Sequence, residues 1–374
     1  MKYLLLPRIL KIRLKLRVME LKKIGLFVGI LLAFFTGFAS GHEAPAADAT
    51  KAEKQMYVDG VKKHHLHDDH YFTIMHGVSI PLPVIIFDGG VKFFMSTGFV
   101  EDEHGHVIAE SGGEYYTISH DNGMIYKCDE HGHIHRDEEG KLEGRVLDFS
   151  ITKNVVIILL MSVFLFFFFK KMAERYGQSA VPQKSASFFE PIIVFIRDDI
   201  AIPNIGKNYE KYMGYLLTVF FFVWFLNLAG LTPFGVSVTN NIAVTASLAI
   251  LTFLITSFTA NKHYWGHIFW MPGVPKPMRV VLAPIELLGI FIKPFSLMIR
   301  LFANMTAGHI VIMSIIGLMY TVDKGGFAIA AGPSALLTFV LSLLELLVAA
   351  LQAYIFTMLS ALYFGSANEE PHHH

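Results

Sequence analysis

Six polar side chains interrupt the C-terminal part of the sequence, which is otherwise apolar enough to lie in a membrane. They are Glu286, Arg300, Asn304, His309, Glu345 and Gln352. A guanidinium keeps its charge at any physiological pH, and placing it at mid-bilayer costs roughly 2.5–3.5 kcal/mol on insertion scales. Because ionisable groups inside a membrane usually mark ion pathways, we interpret the six residues as an ion-translocation site.

Helical spacing distributes these side chains over different faces. Glu286, Lys293 and Arg300 recur every seven residues, so they fall within about 40° of one another on a helix. Asn304 lies one turn beyond Arg300. His309 is nine residues from Arg300 and points to roughly the opposite face. The spacing therefore predicts two polar surfaces.

A further polar stripe is expected on the last apolar segment, where Glu345 and Gln352 are seven residues apart. In an alternative interpretation these groups are inert: Arg300 is neutralised by Glu345, and His309 makes an ordinary interhelical hydrogen bond. The number of costly ionisable groups favours the ion pathway over this alternative.

The elements that must position these residues follow from composition. The chain has 374 residues, of which 53% are hydrophobic and 17% charged, and several apolar runs reach the ~20 residues of a spanning helix. We predict an all-α polytopic membrane protein with spans at about 151–169, 215–233, 241–260, 281–320 and 334–365. The last two are too long to stand upright, so they predict a tilted hairpin with its turn at 321–333, unless the first of them breaks at Pro294.

Flanking charges predict the orientation. Lys170, Lys171 and Arg175 follow the first span and place that end in the cytoplasm, so residues 42–150 lie outside. We expect an amphipathic helix on the cytoplasmic face between the first two spans, with a plain linker as the alternative. A cytoplasmic tail at 367–374 follows the membrane domain at 151–366.

The N-terminal part has the features of an exported region. Residues 1–41 predict a signal peptide, with Met19 as the alternative start; a basic amphipathic anchor at 1–18 is the competing hypothesis. Residues 42–150 are polar and rich in histidine, and their short alternating runs predict small strands and turns.

The histidine-rich stretches support a second functional hypothesis, a metal-ion transporter with an external metal-binding region. The candidate ligands are His64, His65, His67, His131, His133 and His135. We favour a solvated surface for them, with no bound metal and no cofactor. Zero formal net charge and scattered basic residues exclude a nucleic-acid partner.

Three motifs resemble subunit a of the F-type ATP synthase membrane sector. They are "FLNLAGLTPFG" (225–235), "PFSLMIRLFANMTAGH" (294–309) and "LELLVAALQAYIFTMLSALYF" (344–364). The resemblance implies a stator subunit of the bacterial inner membrane, not catalytic alone, that couples proton or Na⁺ transport to ATP synthesis. It also implies three partners: a c-subunit ring, a b-subunit peripheral stalk and the lipid bilayer.

The resemblance also suggests residue roles. The arginine that faces the c ring corresponds to Arg300, and the glutamine of the last helix to Gln352. Many family members carry an acid just after the "AG" and a histidine on the last helix, whereas this sequence has His309 and Glu345 there. We expect Glu286, His309 and Glu345 to relay ions through the outside half-channel, and Asn304 and Gln352 to hold Arg300 by hydrogen bonds.

Signal-peptide cleavage is testable. The mature chain should begin near His42, because Ala39 and Gly41 supply the small residues that a signal peptidase requires. N-terminal sequencing of the membrane-extracted protein measures this directly. Recovery of intact residues 1–40 would instead support the anchor.

Overall fold

The computed structural model describes most of the chain after residue 67. The described residues are 53, 68–75, 78–101, 107–119, 123–137, 140, 142–176, 185–232, 237–270, 275–321 and 324–368. The signal-peptide and anchor predictions lie outside these residues, and so do His64, His65, His67 and most of the predicted cytoplasmic tail.

Long helices dominate the chain after residue 152. We number them α1 (Lys153–Tyr176), α2 (Ser185–Phe195), α3 (Tyr209–Gly230), α4 (Ile242–Thr259), α5 (Lys262–Phe269), α6 (Lys276–Thr321) and α7 (Lys324–Asn368). Within the described residues, five segments are long and apolar enough to cross a membrane: Lys153–Glu174, Phe188–Gly230, Ile242–Thr259, Pro277–Ile315 and Leu336–Asn368. The predicted polytopic helical fold is confirmed.

The second of these segments joins α2 to α3 through irregular helical turns. A π-helical turn at Ile196–Ala201 is followed by a short α-helical turn at Ile202–Ile205 and a 3₁₀ turn at Gly206–Asn208. Ile196 and Ile200 are fully buried in the π-helical turn. A helix therefore occupies the region where we expected either an amphipathic helix or a linker.

Helices α6 and α7 are 46 and 45 residues long. At ~1.5 Å per residue each spans nearly 70 Å, more than twice the ~30 Å hydrocarbon thickness, so both must tilt or extend beyond the bilayer. Helix α6 continues through Pro294 without a break.

The predicted turn at 321–333 overlaps the first residues of α7, because α6 ends at Thr321 and α7 already begins at Lys324. Gly325 and Gly326 each disfavour a helix by about 1 kcal/mol. An unpaired backbone group in hydrocarbon costs several kcal/mol, so an apolar setting favours the helix despite its glycines.

The helical core forms where α7 packs against α3 and α6, and α4 packs against α6. Leu216 and Phe221 of α3 are almost completely buried there, as are Leu301 and Met305 of α6 and Phe364 of α7. This core fixes the positions of the polar side chains on α6 and α7.

The described part of residues 71–148 consists of short antiparallel strands, as predicted. They are β1 (Tyr71–Met75), β2 (Val78–Pro81), β3 (Pro83–Phe87), β4 (Val91–Met95), β5 (Val100–Glu101), β6 (Val107–Ser111), β7 (Glu114–Ile118), β8 (Ile125–Cys128) and β9 (Leu147–Asp148). They pair as β1-β2, β4-β3-β9 and β5-β6-β7-β8. Val84, Ile86 and Ala109 are among the residues that form a core shared by the two larger sheets.

A charged network ties these two sheets together. Lys92 of β4 donates to Glu114 of β7 at 2.6 Å, and the buried Tyr116 hydroxyl donates to Asp88 at 3.0 Å. Lys127 of β8 also donates to Glu114. The Lys127 and Lys92 ammonium groups hold the pKa of the Glu114 carboxyl well below its usual range. The Glu114 carboxylate therefore stays ionised at neutral pH.

Candidate polar site in the membrane domain

A buried apolar stripe on α6 sets the direction of His309. Ile290, Leu297, Leu301 and Met305 are buried and recur at helical spacing. His309 continues the stripe one turn beyond Met305, and its side chain is 12% exposed. The histidine therefore points into the protein.

The His309 ring joins three helices. Its Nδ1 lies 2.6 Å from Glu345 Oε1 of α7 and 3.1 Å from the Met305 carbonyl oxygen of α6. Its Nε2 lies 3.2 Å from the Gly230 carbonyl oxygen at the end of α3. Both carbonyls are acceptors only, so a ring that carries both protons can donate to both, whereas a neutral ring can donate to only one of them.

Glu345 is held close to the α6 backbone. The residue is 4% exposed, and Oε1 has no aligned hydrogen-bond donor within the described residues, although His309 is adjacent. A Cβ added at Gly308 would lie 2.9 Å from this oxygen. The absence of a side chain at Gly308 therefore makes room for the carboxylate.

Other buried polar atoms accompany this pair. Side-chain atoms that are buried and lack a protein hydrogen-bond partner in the described chain are Asn227 Oδ1, Ser237 Oγ, Thr239 Oγ1, Asn240 Nδ2, Thr338 Oγ1 and Glu345 Oε1. All of them belong to the helical part. Buried polar groups normally have partners, and ordered water is the usual partner where protein supplies none. Their arrangement suits a hydrated interior.

Contacts place several of these residues between helices. Asn227 Nδ2 of α3 donates to the Ala349 carbonyl of α7 at 3.4 Å, and Thr306 of α6 donates to Asn240 Oδ1 at 3.5 Å. Sequence analysis missed the uncharged residues at 227 and 237–240. The one available signal was the density of Asn, Ser and Thr around the "FLNLAGLTPFG" motif.

Arg300 is half-buried and, among the described residues, makes neither an ion pair nor a hydrogen bond. The alternative pair with Glu345 is absent, because Glu345 contacts His309 instead. Asn304 is exposed and Gln352 is 4% exposed. The expected hydrogen bonds from these two amides to Arg300 do not occur in the described structure.

A second polar cleft lies between α4, α5, α6 and α7. Its polar lining is formed by Thr252, Thr256, Ser257, Tyr264, Lys293 and Tyr363. Lys293 Nζ lies 5.5 Å from the centre of the Tyr363 ring. This cleft was not predicted, because most of its polar lining is uncharged and dispersed along the sequence.

Glu286 belongs near this cleft and not near His309. Burial and, secondarily, the Glu286 carboxylate raise the pKa of Tyr264. Glu286 and His309 are 23 residues apart on the continuous helix α6, which corresponds to about 34 Å. The expectation that Glu286 shares one half-channel with His309 and Glu345 is therefore not supported by the geometry.

Among the described histidines of the N-terminal region, His131, His133 and His135 are exposed. Asp129 accepts backbone hydrogen bonds from His131 and His133 at 3.0 and 2.8 Å. The described part of the chain contains no group of three or more His, Cys, Asp or Glu side chains arranged to hold a metal ion. In the described structure, His131, His133 and His135 therefore do not form a metal site.

Two known families together match most of the chain. Residues 155–365 match the family described as ATP synthase A chain. Residues 61–149 match a domain of unknown function, DUF8433. The boundary between the matches coincides with the passage from strands to helices.

Individual relatives give the same assignment. An ATP synthase subunit a of Anaeromyxobacter sp. is 41% identical over 252 residues, covering 65% of this chain and 60% of the relative. The ATP synthase subunit a of Chloroherpeton thalassium is 37% identical over 311 residues, covering 79% of this chain and 90% of the relative. The ATP synthase subunit a 2 of Chlorobaculum tepidum is 42% identical over 241 residues, with coverages of 62% and 67%.

The close approach at Gly308 is testable. Gly308→Ala should destabilise the protein by about 1–3 kcal/mol, because the added methyl group must displace the Glu345 carboxylate. The measurement is the Tm of the detergent-solubilised protein. Gly289→Ala is a matched control on the same helix, since a Cβ there meets nothing within 4 Å and alanine favours a helix.

A rescue variant separates this contact from a general effect of alanine. Combining Gly308→Ala with Glu345→Asp shortens the acidic side chain and should recover part of the lost Tm. Equal Tm values for Gly308→Ala and Gly289→Ala would contradict the close approach.

Proposed function

Since the chain belongs to the ATP synthase A chain family, we propose that it is the stator subunit of a rotary F-type ATP synthase. In this role it is not catalytic alone. It forms two ion half-channels, and proton or Na⁺ flow through them drives rotation of a ring of c subunits and hence ATP synthesis. The proposed partners are this c ring, a b-subunit peripheral stalk and the lipid bilayer.

The observation that carries the proposal is the state of Arg300. A guanidinium on a membrane helix that has no acidic partner in the described chain needs a counter-charge from elsewhere. Carboxylates of a neighbouring c ring would supply it in turn. Exposed apolar side chains on α6 and α7, including Ile299, Leu344 and Leu347, provide a surface on which an apolar ring can slide.

The permanent charge of Arg300 would make ions travel around with the ring. A c-ring carboxylate must be neutral to face lipid and ionised to exchange its ion. A nearby cation stabilises the ionised form, so the ion leaves as the carboxylate reaches Arg300. Because the guanidinium does not lose its own proton, it also blocks direct passage of protons between the two half-channels.

We propose that His309 and Glu345 form the proton-transfer element of the outside half-channel. An imidazole can both accept and donate a proton, and the adjacent carboxylate can accept or return it. Buried polar atoms at Asn227, Asn240 and Thr338 would hold the water that connects this pair to the surface. Gln352, two turns beyond Glu345 on α7, extends the polar surface towards the ring.

The cleft around Lys293 is proposed as the second half-channel. It contains Tyr264 of α5, and Glu286 acts on this residue electrostatically. The charge pattern of the sequence places α5 on the cytoplasmic side. Glu286 would then serve the cytoplasmic opening, and Asn304, exposed one turn from Arg300, would contact the ring directly.

We propose a bacterial inner-membrane location for the complex. The strand-rich region that precedes α1 would lie outside, and the end of α7 would lie in the cytoplasm. Lys170 and Lys171 near the end of α1 support this orientation.

Arg300 provides the central functional test. Arg300→Ala should abolish ATP-driven ion pumping while the complex still assembles, and Arg300→Lys should fail as well because a desolvated ammonium can lose its charge. Pumping is measured as ATP-driven ion uptake by inverted membrane vesicles, and assembly as copurification of the c ring. Arg279→Ala, which removes a cation stacked 4.9 Å over Trp270 near the start of α6, is the matched control and should retain pumping. Normal pumping by Arg300→Ala would refute the proposed role.

The His309–Glu345 contact predicts that the two residues act as a unit. His309→Ala and Glu345→Ala should each reduce ATP-driven ion uptake, and the double variant should lose less than the sum of the two effects. The expected coupling is about 0.5–3 kcal/mol in activation free energy. The exchanged pair, His309→Glu with Glu345→His, should pump better than either half of the exchange alone. Strictly additive losses without rescue would show that the residues act independently.

A further inference from the structure

The three-stranded sheet β4-β3-β9 has two unlike faces. One face contains Val84 and Ile86, which are fully buried against the four-stranded sheet. The opposite face is apolar and exposed. We call it the outer sheet face; its members are Phe87, Val91, Phe93, Met95, Leu147 and Phe149, whose exposed fractions range from 40% to 74%.

Strand register makes this face continuous. Phe87 is the register partner of both Val91 on β4 and Leu147 on β9. Ile85 is the register partner of Phe93, and its carbonyl oxygen accepts a hydrogen bond from the Phe149 backbone at 2.8 Å. The exposed side chains therefore lie beside one another across all three strands.

This distribution reverses the usual pattern of a solvated sheet. Antiparallel sheets at a protein surface commonly place apolar residues inwards and polar residues outwards. In β4, Lys92 instead turns inwards to Glu114 and Tyr116, while Val91 and Phe93 point outwards. Contiguous exposed apolar patches mark protein or membrane interaction sites.

The outer sheet face is tied directly to the first membrane helix. The Ile151 backbone donates to the Pro83 carbonyl of β3 at 3.1 Å, and the Lys153 backbone donates to the Asp69 carbonyl at 2.9 Å. Phe149 is only four residues from Lys153, where α1 begins, which limits their separation to about 14 Å. The headgroup layer itself is several ångströms thick on each side of the bilayer.

We propose that the outer sheet face lies on the outer surface of the lipid bilayer. The face continues along the chain into α1, whose Leu159, Leu160 and Phe166 are also exposed and apolar. No charged residue belongs to the face. The apolar faces of interfacial helices lie about 5–10 Å deep in the boundary between headgroups and acyl chains, and we expect a comparable depth for these side chains.

Backbone chemistry limits the depth. Strands β4 and β9 are the edges of their sheet, so each has backbone groups without a strand partner. Such groups cannot enter hydrocarbon without a large cost, but headgroups and interfacial water can bind them. The side chains therefore enter the interface while the strands remain in the headgroup region. This proposal depends on α1 crossing the membrane and is independent of ion transport.

The test uses the full chain reconstituted into phospholipid vesicles. Phe93→Cys and, separately, Val91→Cys are labelled with a small fluorophore. Vesicles containing nitroxide-labelled phospholipid should remove most of the fluorescence at either position, whereas aqueous iodide should remove little. Two different exposed positions protect the test against a folding defect in one variant.

Matched controls come from the same domain. Glu110→Cys places the label on the outward side of β6, next to the buried Ala109, and should be quenched by iodide and not by the lipid nitroxide. The native Cys128 should contribute little background, because burial and then Asp129 raise the pKa of its thiol to about 11. The unsubstituted chain measures that background.

Two outcomes would overturn the proposal. Iodide quenching at Phe93 and Val91 equal to that at Glu110 would place the outer sheet face in water. Protection of both positions from iodide and from lipid nitroxide alike would mean that protein covers the face, either a second copy of this chain or another subunit.

Discussion

A positive charge that cannot be discharged, held on a helix apolar enough to lie in a membrane, is the constraint on which the membrane domain depends. The buried stripe of α6, which includes Leu297, Leu301 and Met305, attaches the helix to its neighbours without enclosing Arg300. Glu345, the buried acid of α7, contacts His309 instead. Within the described chain the fold therefore gives the guanidinium no internal counter-charge, as the proposed contact with the c ring requires.

The length of α6 separates two polar regions along one helix. Lys293 lies seven residues before Arg300, and His309 lies nine residues after it. At ~1.5 Å per residue these separations are about 10 and 14 Å, so the fixed cation stands between the Lys293 cleft and the His309–Glu345 pair. A tilted helix that exceeds the bilayer thickness can present both regions and the cation in between. Such a helix would suit the two half-channels proposed above.

Sequence patterns predicted the elements better than their ends and contacts. Long apolar runs predicted five spans, and the resemblance in three motifs identified the family, because both signals are strong and local. Helix α7 begins inside the expected turn at 321–333, since glycine propensity is a weaker influence than the need to pair backbone groups. Glu286 was grouped with His309 by charge, although a continuous helix keeps them about 34 Å apart. The partners of His309 on α3 could not be predicted, because a carbonyl such as that of Gly230 leaves no signal in the sequence.

His309 and Glu345 are in contact although they lie at unequal distances from the junction between α6 and α7. His309 lies 12 residues before the end of α6, whereas Glu345 lies 21 residues after the start of α7. The hydrogen-bonding groups of the imidazole also favour its position on α6. From α6 its two nitrogens reach both Glu345 and the Gly230 carbonyl, whereas a carboxylate at the same position could not donate to that carbonyl. The order found here, with histidine after Gly308 and the acid on α7, therefore adds a link to α3 that the reverse order lacks.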